Sequence, residues 1–264
     1  MASEPALRGS RVLVTAASQG IGLAAARAFL EGGARVVVNS SHAGRLRTAT
    51  DSLARSGPAH GIVADLREKD GLDRLITSSV DHLGGLDTLV YVTGSPKPGT
   101  FMEQGFEEWD AAARMLVVSP AYLARRAAEA MEKGRHPGRM VFLASVAIRE
   151  PIPTIATSSV CRVAIAGLVR TLARELGPRA IRVNGILPGY IDTGRLEEVL
   201  ADRARRKGTS PAAERTTLET EVPLGRVGSP EELARVIVFL GSEASSYVSG
   251  ALLPVDGALL RSIG

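Results

Sequence analysis

The chain has 264 residues, of which 45% are hydrophobic and 23% charged, the composition of an ordinary globular protein large enough for one α/β domain. Its formal net charge is +4, but no basic run alternates with aromatic residues, which argues against nucleic-acid binding. The single cysteine excludes an internal disulfide and fits a reducing compartment. We see neither a signal peptide nor an apolar run near the ~18 residues of a membrane span, so we expect a cytoplasmic protein with no membrane partner.

Strand-like and helix-like segments alternate along the whole chain. Short apolar, β-branched runs predict strands at about 11–15, 34–39, 60–64, 87–92, 139–144, 181–187 and 252–255. Helical patterns lie between them, at about 23–31, 44–56, 67–83, 106–133, 160–176 and 230–240. This alternation predicts an α/β fold of Rossmann type, a doubly wound parallel sheet of about seven strands with helices on both faces.

Three local features refine this outline. Pro120 lies inside the segment 106–133, so we expect the helix to be interrupted there. Ser229 stands where an N-cap is needed for the last helix. The charged, helix-forming stretch at about 194–222 follows the carboxyl end of a strand, where an insertion can cover a ligand. We expect residues 1–264 to form a single nucleotide-binding domain with this stretch as a helical lid.

The turn after the first strand has the composition of a phosphate-binding loop. It reads Thr15-Ala-Ala-Ser-Gln-Gly-Ile-Gly22, and Gly20 and Gly22 allow close approach of a ligand. The following helix offers free N–H groups and the positive end of its dipole. A tight turn without a ligand uses such glycines as well, but the position in the first βαβ unit favours a dinucleotide site.

The end of the second strand indicates which dinucleotide binds. In NAD-binding proteins an acid at this place holds the ribose 2′-hydroxyl. Here the sequence is Asn39-Ser40-Ser41-His42, followed by Arg45 and Arg47. Two hydroxyls and two arginines suit a 2′-phosphate, so we expect NADP(H) rather than NAD(H). The alternative is that these arginines are simply solvated.

Polar side chains also follow the fifth predicted strand. Ser145 comes at its carboxyl end, where open α/β sheets bind ligands. Ser158 and Arg162 are four residues apart, so both project from one face of the next helix. We therefore expect these three side chains to converge on one site. The four histidines are scattered and there is one cysteine, so the sequence predicts no metal site.

In these motifs the sequence resembles the short-chain dehydrogenase/reductase family over nearly its whole length. The matching segments are the turn at 15–22, Asp65-Leu66, Thr93-Gly94, 182–193, Ser249-Gly250 and 255–257. With the residues proposed for the 2′-phosphate, the expected cofactor contacts are Thr15, Ala16, Ser18, Gln19, Gly20, Ile21, Gly22, Ser40, Ser41, Arg45, Asp65, Leu66, Thr93, Gly94, Arg162, Pro188, Gly189, Ile191 and Thr193. The resemblance also implies a homotetramer, or a homodimer, formed through the helices at 106–133 and 158–177.

The resemblance breaks at the catalytic positions. The family's catalytic Ser corresponds to Ser145, but its Tyr and Lys correspond to Ser158 and Arg162. Its helix Asn corresponds to Leu116, and the first Gly of its glycine turn to Ala16. The chain thus resembles an atypical subgroup with Ser-x-x-x-Arg in place of Tyr-x-x-x-Lys and with a similar lid.

These replacements change the chemistry that the site can perform. A serine hydroxyl is a much poorer acid than a phenol, and an arginine stays protonated. Arg162 can still bind ribose hydroxyls or stabilise an oxyanion. We expect Ser145, Ser158 and Arg162 to carry catalysis, and Ser145 to bind the substrate oxygen. Tyr190 either faces the substrate or packs under the lid.

Three functions follow from the sequence. The first is an atypical NAD(P)(H)-dependent oxidoreductase that acts on a carbonyl or alcohol of a small to medium organic substrate. The alternative is a catalytically inactive NAD(P)-binding protein with a structural or regulatory role. A lyase or isomerase that reuses the pocket is a third reading, which no residue favours specifically.

Overall fold

Seven parallel strands form the sheet of the computed structural model, in which residues 7–134 and 136–262 are described. The strands are Arg11–Val14 (β1), Arg35–Ser40 (β2), Ala59–Val63 (β3), Thr88–Tyr91 (β4), Gly138–Leu143 (β5), Ile181–Pro188 (β6) and Leu252–Val255 (β7). Across the sheet their order is β3-β2-β1-β4-β5-β6-β7, and every neighbouring pair is parallel. The predicted α/β fold of about seven strands is confirmed.

Helices connect these strands. Within the described part of the chain the α-helices are Gly20–Glu31 (α1), Ala43–Leu53 (α2), Lys69–Leu83 (α3), Phe106–Ala113 (α4), Ser119–Met131 (α5), Ala156–Cys161 (α6), Val163–Leu176 (α7), Gly194–Lys207 (α8), Pro211–Glu221 (α9) and Pro230–Leu240 (α10). The Oγ of Ser229 accepts a hydrogen bond from the N–H of Glu232 (3.2 Å), and the Glu232 carboxylate accepts one from the N–H of Ser229 (2.8 Å). Ser229 is therefore the N-cap of α10, as the sequence predicts.

Alternate side chains of the strands enter two hydrophobic cores, one on each face of the sheet. In β1, Leu13 packs with α3, α5 and α7, whereas Val12 and Val14 pack with α1 and α10. Successive residues of a strand point to opposite faces, and all three of these side chains are fully buried. Both faces of the sheet are thus covered by helices, which is why the strands are apolar throughout.

The winding of the chain changes direction between β1 and β4. Strands β2 and β3 lie on one side of β1, and β4 to β7 lie on the other. Helix α1, which follows β1, packs on one face of the sheet, while α5, in the connection after β4, packs on the other. The two connections diverge and leave a crevice at the carboxyl ends of these strands, where open α/β sheets bind ligands.

The long helix predicted at 106–133 is interrupted one turn earlier than expected. A π-helical turn, Arg114–Val118, separates α4 from α5, and Pro120 is the second residue of α5. Proline lacks an N–H, and in a regular helix its ring would clash with the carbonyl four residues back, at Leu116. The wider π-helical turn contains that carbonyl. Pro120 thus explains the interruption but does not mark its position.

Residues 194–222 contain two helices that pack on each other through a small core of their own. Leu196, Leu200 and Leu218 are buried in this core. Gly208 ends α8 with a φ of 67°, the left-handed conformation that glycine adopts without strain. Because α8 begins shortly after the end of β6, the two helices lie beside the crevice.

In the described part of the chain, one helical segment is long and apolar enough to cross a membrane, judged by length and composition alone. It spans Ala156–Arg179, and the mean hydropathy of its most apolar window is 1.2. We expected no apolar run of this length from the sequence. Its residues Ile165, Val169 and Leu176 are buried in the core beneath the sheet, and this packing accounts for part of its apolar content.

Candidate active site

A cavity of about 690 Å³, which we call the main cavity, opens at the crevice between β1 and β4. The wall is formed by the β1–α1 turn, the segments that follow β2, β3, β4, β5 and β6, and the first turns of α6 and α8. The predicted site residues that line it are Ala16, Ser18, Gln19, Gly20, Ile21, Gly22, Ser40, Ser41, Arg45, Asp65, Leu66, Thr93, Gly94, Ser145, Ser158, Arg162, Pro188, Gly189, Tyr190, Ile191 and Thr193. Its volume is that of a site for a small-molecule ligand.

Thr15 is the predicted cofactor residue that lies outside the lining of this cavity. Its side chain is fully buried, and its hydroxyl donates to the carbonyl of Val92 and accepts from the N–H of Val92 at 2.9 Å. The hydroxyl therefore joins β1 to the end of β4. Thr15 supports the shape of the turn and does not reach the space a ligand would occupy.

The β1–α1 turn approaches itself so closely that one of its glycines has no room for a side chain. A Cβ on Gly22 would lie 2.7 Å from the carbonyl oxygen of Ala16 and 2.8 Å from the Cα of Ala17. Gly20 has a φ of +55° and Ala16 one of +45°. In the described structure no side chain caps the first turn of α1, so its N–H groups remain available. A pyrophosphate fits these groups and the helix dipole.

We call the end of the cavity beside β2 and β3 the adenosine end, because the adenosine part of a dinucleotide is expected there. One acidic and one basic side chain form an ion pair at this end. Arg67 donates from Nε and Nη2 to the two carboxylate oxygens of Asp65, at 3.0 and 2.6 Å, and this contact lowers the pKa of Asp65. Ser40 Oγ accepts hydrogen bonds from Ser18 Oγ (3.1 Å) and from the N–H of His42 (3.2 Å). The hydroxyls are thus fixed at the end of β2, beside Arg45.

His42 and Arg67 also line this end of the cavity, although neither was predicted as a site residue. The proximity of His42 to Ser40 and Ser41 in the sequence was a usable signal. Arg67 had none of its own, because its place depends on the pairing with Asp65. Arg47, which had been weighed for the 2′-phosphate, is exposed on α2 and is not part of the lining.

Arg162 is the central charged group at the other end of the cavity. It donates from Nε to Ser158 Oγ (3.0 Å) and from Nη1 to the carbonyl oxygens of Leu143 (3.1 Å) and Ala144 (3.2 Å). The residue is only 7% exposed, and its burial lowers the pKa of the guanidinium to about 10. Its Nη2 has no hydrogen-bond partner among the described residues, so two N–H donors remain for a ligand.

Ser145 and Ser158 line the cavity, and neither hydroxyl proton is donated to another described residue. Ser158 Oγ is an acceptor from Arg162, and Ser145 Oγ is an acceptor from the N–H of Ala147 at 3.1 Å. Each hydroxyl can therefore donate to a substrate oxygen. Ser145, Ser158 and Arg162 all line the same end of the cavity, but no hydrogen bond links Ser145 to the other two within the described residues.

A buried phenol lies behind Arg162. Tyr91 is fully buried, and its Oη donates to the carbonyl of Met115 in the π-helical turn at 2.8 Å. Burial raises the pKa of Tyr91, so it stays neutral. Leu116 is also fully buried, in a cluster with Ala112 and Cys161. Tyr91 and Leu116 are thus enclosed in the core at the π-helical turn and do not line the main cavity.

The described residues contain no group of His, Cys, Asp and Glu that could hold a metal ion. What the main cavity offers instead is a phosphate-binding turn at the switch point of the sheet and, at its far end, hydroxyls around a fixed guanidinium. A doubly wound sheet with this arrangement defines a dinucleotide-dependent enzyme of Rossmann type.

Comparison of the sequence with known proteins indicates the same class of enzyme. The family model described as enoyl-(acyl carrier protein) reductase matches residues 15–259. Dehydrogenase/reductase SDR family member 4 of Homo sapiens is 33% identical over 247 residues, which cover 93% of this chain and 85% of that protein. The 3-oxoacyl-(acyl-carrier-protein) reductase MabA of Mycobacterium tuberculosis is 31% identical over 257 residues, covering 97% and 95%.

The fold is also similar to solved structures. L-sorbose reductase from Gluconobacter frateurii, complexed with NADPH and L-sorbose, superposes with a TM-score of 0.91 at 30% identity, over 97% of this chain and 98% of that one. The chain belongs to the short-chain dehydrogenase/reductase family. It is an NAD(P)-dependent oxidoreductase of that family.

Proposed function

We propose that this protein reduces a carbonyl group of a small to medium organic substrate, or oxidises the corresponding alcohol, with NADP(H). The observation that carries the proposal is one cavity that joins the turn at Gly20 and Gly22 to Ser145, Ser158 and Arg162. The similar L-sorbose reductase structure holds both NADPH and L-sorbose, which supports a site for a cofactor together with a small substrate.

The preference for NADP(H) rests on the charges at the adenosine end. Ser40, Ser41 and Arg45 line the cavity there, and the nearby carboxylate of Asp65 is paired with Arg67. A 2′-phosphate would meet hydroxyls and a guanidinium without a free carboxylate to repel it. A ribose 2′-hydroxyl would lack the acid that usually binds it.

The residues of the chain hold the substrate oxygen and the charge that develops on it. A bound nicotinamide cofactor supplies or accepts the hydride. Ser145 donates a hydrogen bond to the substrate oxygen, and Nη2 of Arg162 binds a ribose hydroxyl or the developing oxyanion. Ser158 accepts from Arg162 and offers its own proton as a weak relay. Because no phenolic acid stands at this position, we expect the rate to be lower than that of a site with such an acid, by a factor of about 10²–10⁴.

We extend the proposal to the domain organisation, the lid, the compartment and the assembly of the protein. We propose that residues 1–264 form one nucleotide-binding domain, that 194–222 acts as a lid, and that Tyr190 faces the substrate. The protein would work in the cytoplasm as a homotetramer or homodimer, without a membrane or nucleic-acid partner. The single cysteine and the absence of an aromatic-interleaved basic run support this setting.

Calorimetric titration with NADPH and then NADH, followed by a screen of ketones and alcohols, tests the proposal. We expect NADPH to bind at least about tenfold more tightly, a difference of about 1.4 kcal/mol. Arg162→Ala should weaken cofactor binding, and Arg162→Lys should restore part of it. Turnover that appears only in the double variant Ser158→Tyr with Arg162→Lys would show that the natural site does not perform the reduction.

A further inference from the structure

A second cavity, of about 560 Å³, adjoins the main cavity across two shared side chains, Ile152 and Tyr190. It lies between α8 and the segment that ends the described chain, and Val146, the neighbour of Ser145, lines it as well. A substrate whose reacting carbon lies near Ser145 thus has room to extend past Tyr190 into this second cavity. The volume is sufficient for a substantial part of an organic molecule.

The second cavity combines an apolar wall with a cationic one. The cationic side chains that line it are Arg203, Arg206, Lys207 and Arg261. Two of them are neutralised within the fold: Arg206 pairs with Glu103 at 2.7 Å, and Lys207 pairs with Glu214 at 2.9 Å. The other two, Arg203 and Arg261, have no ion pair with a carboxylate in the described part of the chain.

Arg203 is held in place by an aromatic ring rather than by a carboxylate. Its guanidinium carbon lies 5.8 Å from the centroid of the Tyr190 ring, and its Nη2 is 3.4 Å from Tyr190 Oη. This contact orients the guanidinium. Within residues 7–134 and 136–262, Nε and Nη1 of Arg203 and the guanidinium of Arg261 have no hydrogen-bond acceptor, so these donors are available to a ligand.

The acidic side chains that line the second cavity are Glu150 and Glu221. Their two negative charges equal the two positive charges of Arg203 and Arg261. Glu150 already accepts hydrogen bonds from the backbone N–H groups of Arg261 (2.8 Å) and Ser262 (3.1 Å). Glu221 is 3.4 Å from Tyr190 Oη. Hydrogen-bond donors therefore exceed free acceptors, and two of the donors are planar guanidinium forks, which match carboxylate and phosphate groups.

We propose that the substrate carries a terminal anionic group, a carboxylate or a phosphate, which Arg203 and Arg261 bind in the second cavity while Ser145 holds its carbonyl. The inference deepens the proposed carbonyl reduction and rests on it. Arg203 and Arg261 are then residues that determine specificity, since they lie away from the reacting carbon and bind the tail in the ground state and the transition state alike.

Matched ketones that differ only in the terminal group test this inference with NADPH as cofactor. The groups are a carboxylate, a phosphate, a neutral amide and an ammonium. We expect the better of the two anions to have a KM about tenfold or more below that of the amide, at similar kcat, because charge-assisted hydrogen bonds to the tail act before the chemical step. The comparison of carboxylate with phosphate identifies which anion the site takes.

Variants of Arg203 test whether its guanidinium determines the preference for an anionic tail. Arg203→Gln should raise the KM ratio of carboxylate to amide ketone about tenfold, and Arg203→Lys should restore part of the preference. Arg205→Gln is the matched control, because Arg205 is exposed on the same helix and does not line the second cavity. That control should leave the ratio unchanged.

The failure of this inference differs from a failure of the proposed reduction. Equal KM values for amide and anionic ketones, or a preference for the ammonium, would reject the anion site while turnover continued. If no ketone were turned over, the proposed reduction would fail. Calorimetry with the carboxylate-tailed and the phosphate-tailed alcohols would then still decide: binding of either one that Arg203→Gln weakens supports the anion site, and binding that is absent or unaffected for both rejects it.

Discussion

At the scale of single residues, Arg162 and Ser158 form one unit. A buried guanidinium is costly unless its N–H groups are satisfied, and here Ser158 Oγ and the carbonyls of Leu143 and Ala144 supply three acceptors. The hydroxyl of Ser158 accepts the Nε proton of Arg162. Replacement of either residue alone would leave an unpaired buried group, so we interpret the two departures from the family pattern as one joint change.

The pH dependence of the reaction is a residue-scale prediction. Burial lowers the pKa of Arg162 to about 10, so the guanidinium stays protonated through the neutral range and loses its charge only above that pH. Serine does not titrate, and burial raises the pKa of the neighbouring Tyr91. We therefore expect kcat/KM for ketone reduction to be flat from about pH 6 to 9 and to fall above about pH 10.

The measurement is a pH series of kcat/KM on the wild type and on the double variant Ser158→Tyr with Arg162→Lys. A phenol and an ammonium titrate, so the double variant should depend on pH within the range where the wild type does not. A bell-shaped wild-type profile centred near pH 7 would contradict this prediction. It would point to a proton donor other than Ser158.

At the scale of elements, α8 is tied to the connection between β4 and α4. Nη1 and Nη2 of Arg206 donate to the two carboxylate oxygens of Glu103, at 2.8 and 2.7 Å. Nη2 of Arg195 donates to the carbonyl of Pro96 at 3.0 Å. The Arg206 guanidinium lowers the pKa of Glu103 to about 2, so the contact persists at neutral pH and is lost only as the pH falls toward that value.

Removal of this contact should loosen the helix without unfolding the protein. We expect Glu103→Gln to increase hydrogen exchange of the α8 amides by about threefold or more, because a region with few buried contacts opens locally. The thermal midpoint should change by less than about 2 °C, since exposed ion pairs contribute little. Hydrogen-exchange mass spectrometry checks both helices of the proposed lid.

The matched control is Glu107→Gln, which alters an exposed carboxylate in the first turn of α4. It should leave the exchange of α8 unchanged. Equal exchange of α8 in wild type and Glu103→Gln would show that the packing of Leu196, Leu200 and Leu218 alone holds the two helices in place.

The elements were predictable where the signal is local. Buried parallel strands are continuous apolar runs, so their positions follow from the sequence to within a few residues. The π-helical turn Arg114–Val118 was not predicted, because Pro120 shows that a helix is disturbed but not how the backbone relieves the clash. The hydrogen bond between Thr15 and Val92 was not predicted either, because periodicity does not reveal a partner from another segment. Arg67 was not predicted although its partner Asp65 lies two residues away.

At the scale of the whole molecule, one surface leaves large apolar side chains in solvent. Val118 in the π-helical turn, Val160 in α6 and Val163 in α7 are 60%, 59% and 50% exposed. The turn contacts both helices, so these side chains belong to neighbouring parts of one face. Contiguous exposed apolar surface is typical of a protein interface, and this face supports the proposed homotetramer or homodimer.

A charge placed on that face should break the assembly. We expect Val118→Glu and Val163→Glu each to shift the mass measured by light scattering toward the monomer, because a buried unpaired carboxylate costs several kcal/mol and raises the dissociation constant at least about 100-fold. Val63→Glu is the control, since Val63 is similarly exposed, at 44%, on edge strand β3. A monomeric wild type would reject the interface outright.

The proposed assembly should also affect the active site, because α6 contributes to both the exposed apolar face and the main cavity. This short helix carries Ser158 on its buried side and Val160 on its exposed side, and Ser158 is the partner of Arg162. A partner subunit packed on Val160 would restrict the motion of α6 and so keep the guanidinium oriented. We therefore expect Val163→Glu to weaken NADPH binding at concentrations where it is monomeric, and the affinity to recover as subunits reassociate. An affinity independent of protein concentration would show that each subunit's site is complete alone.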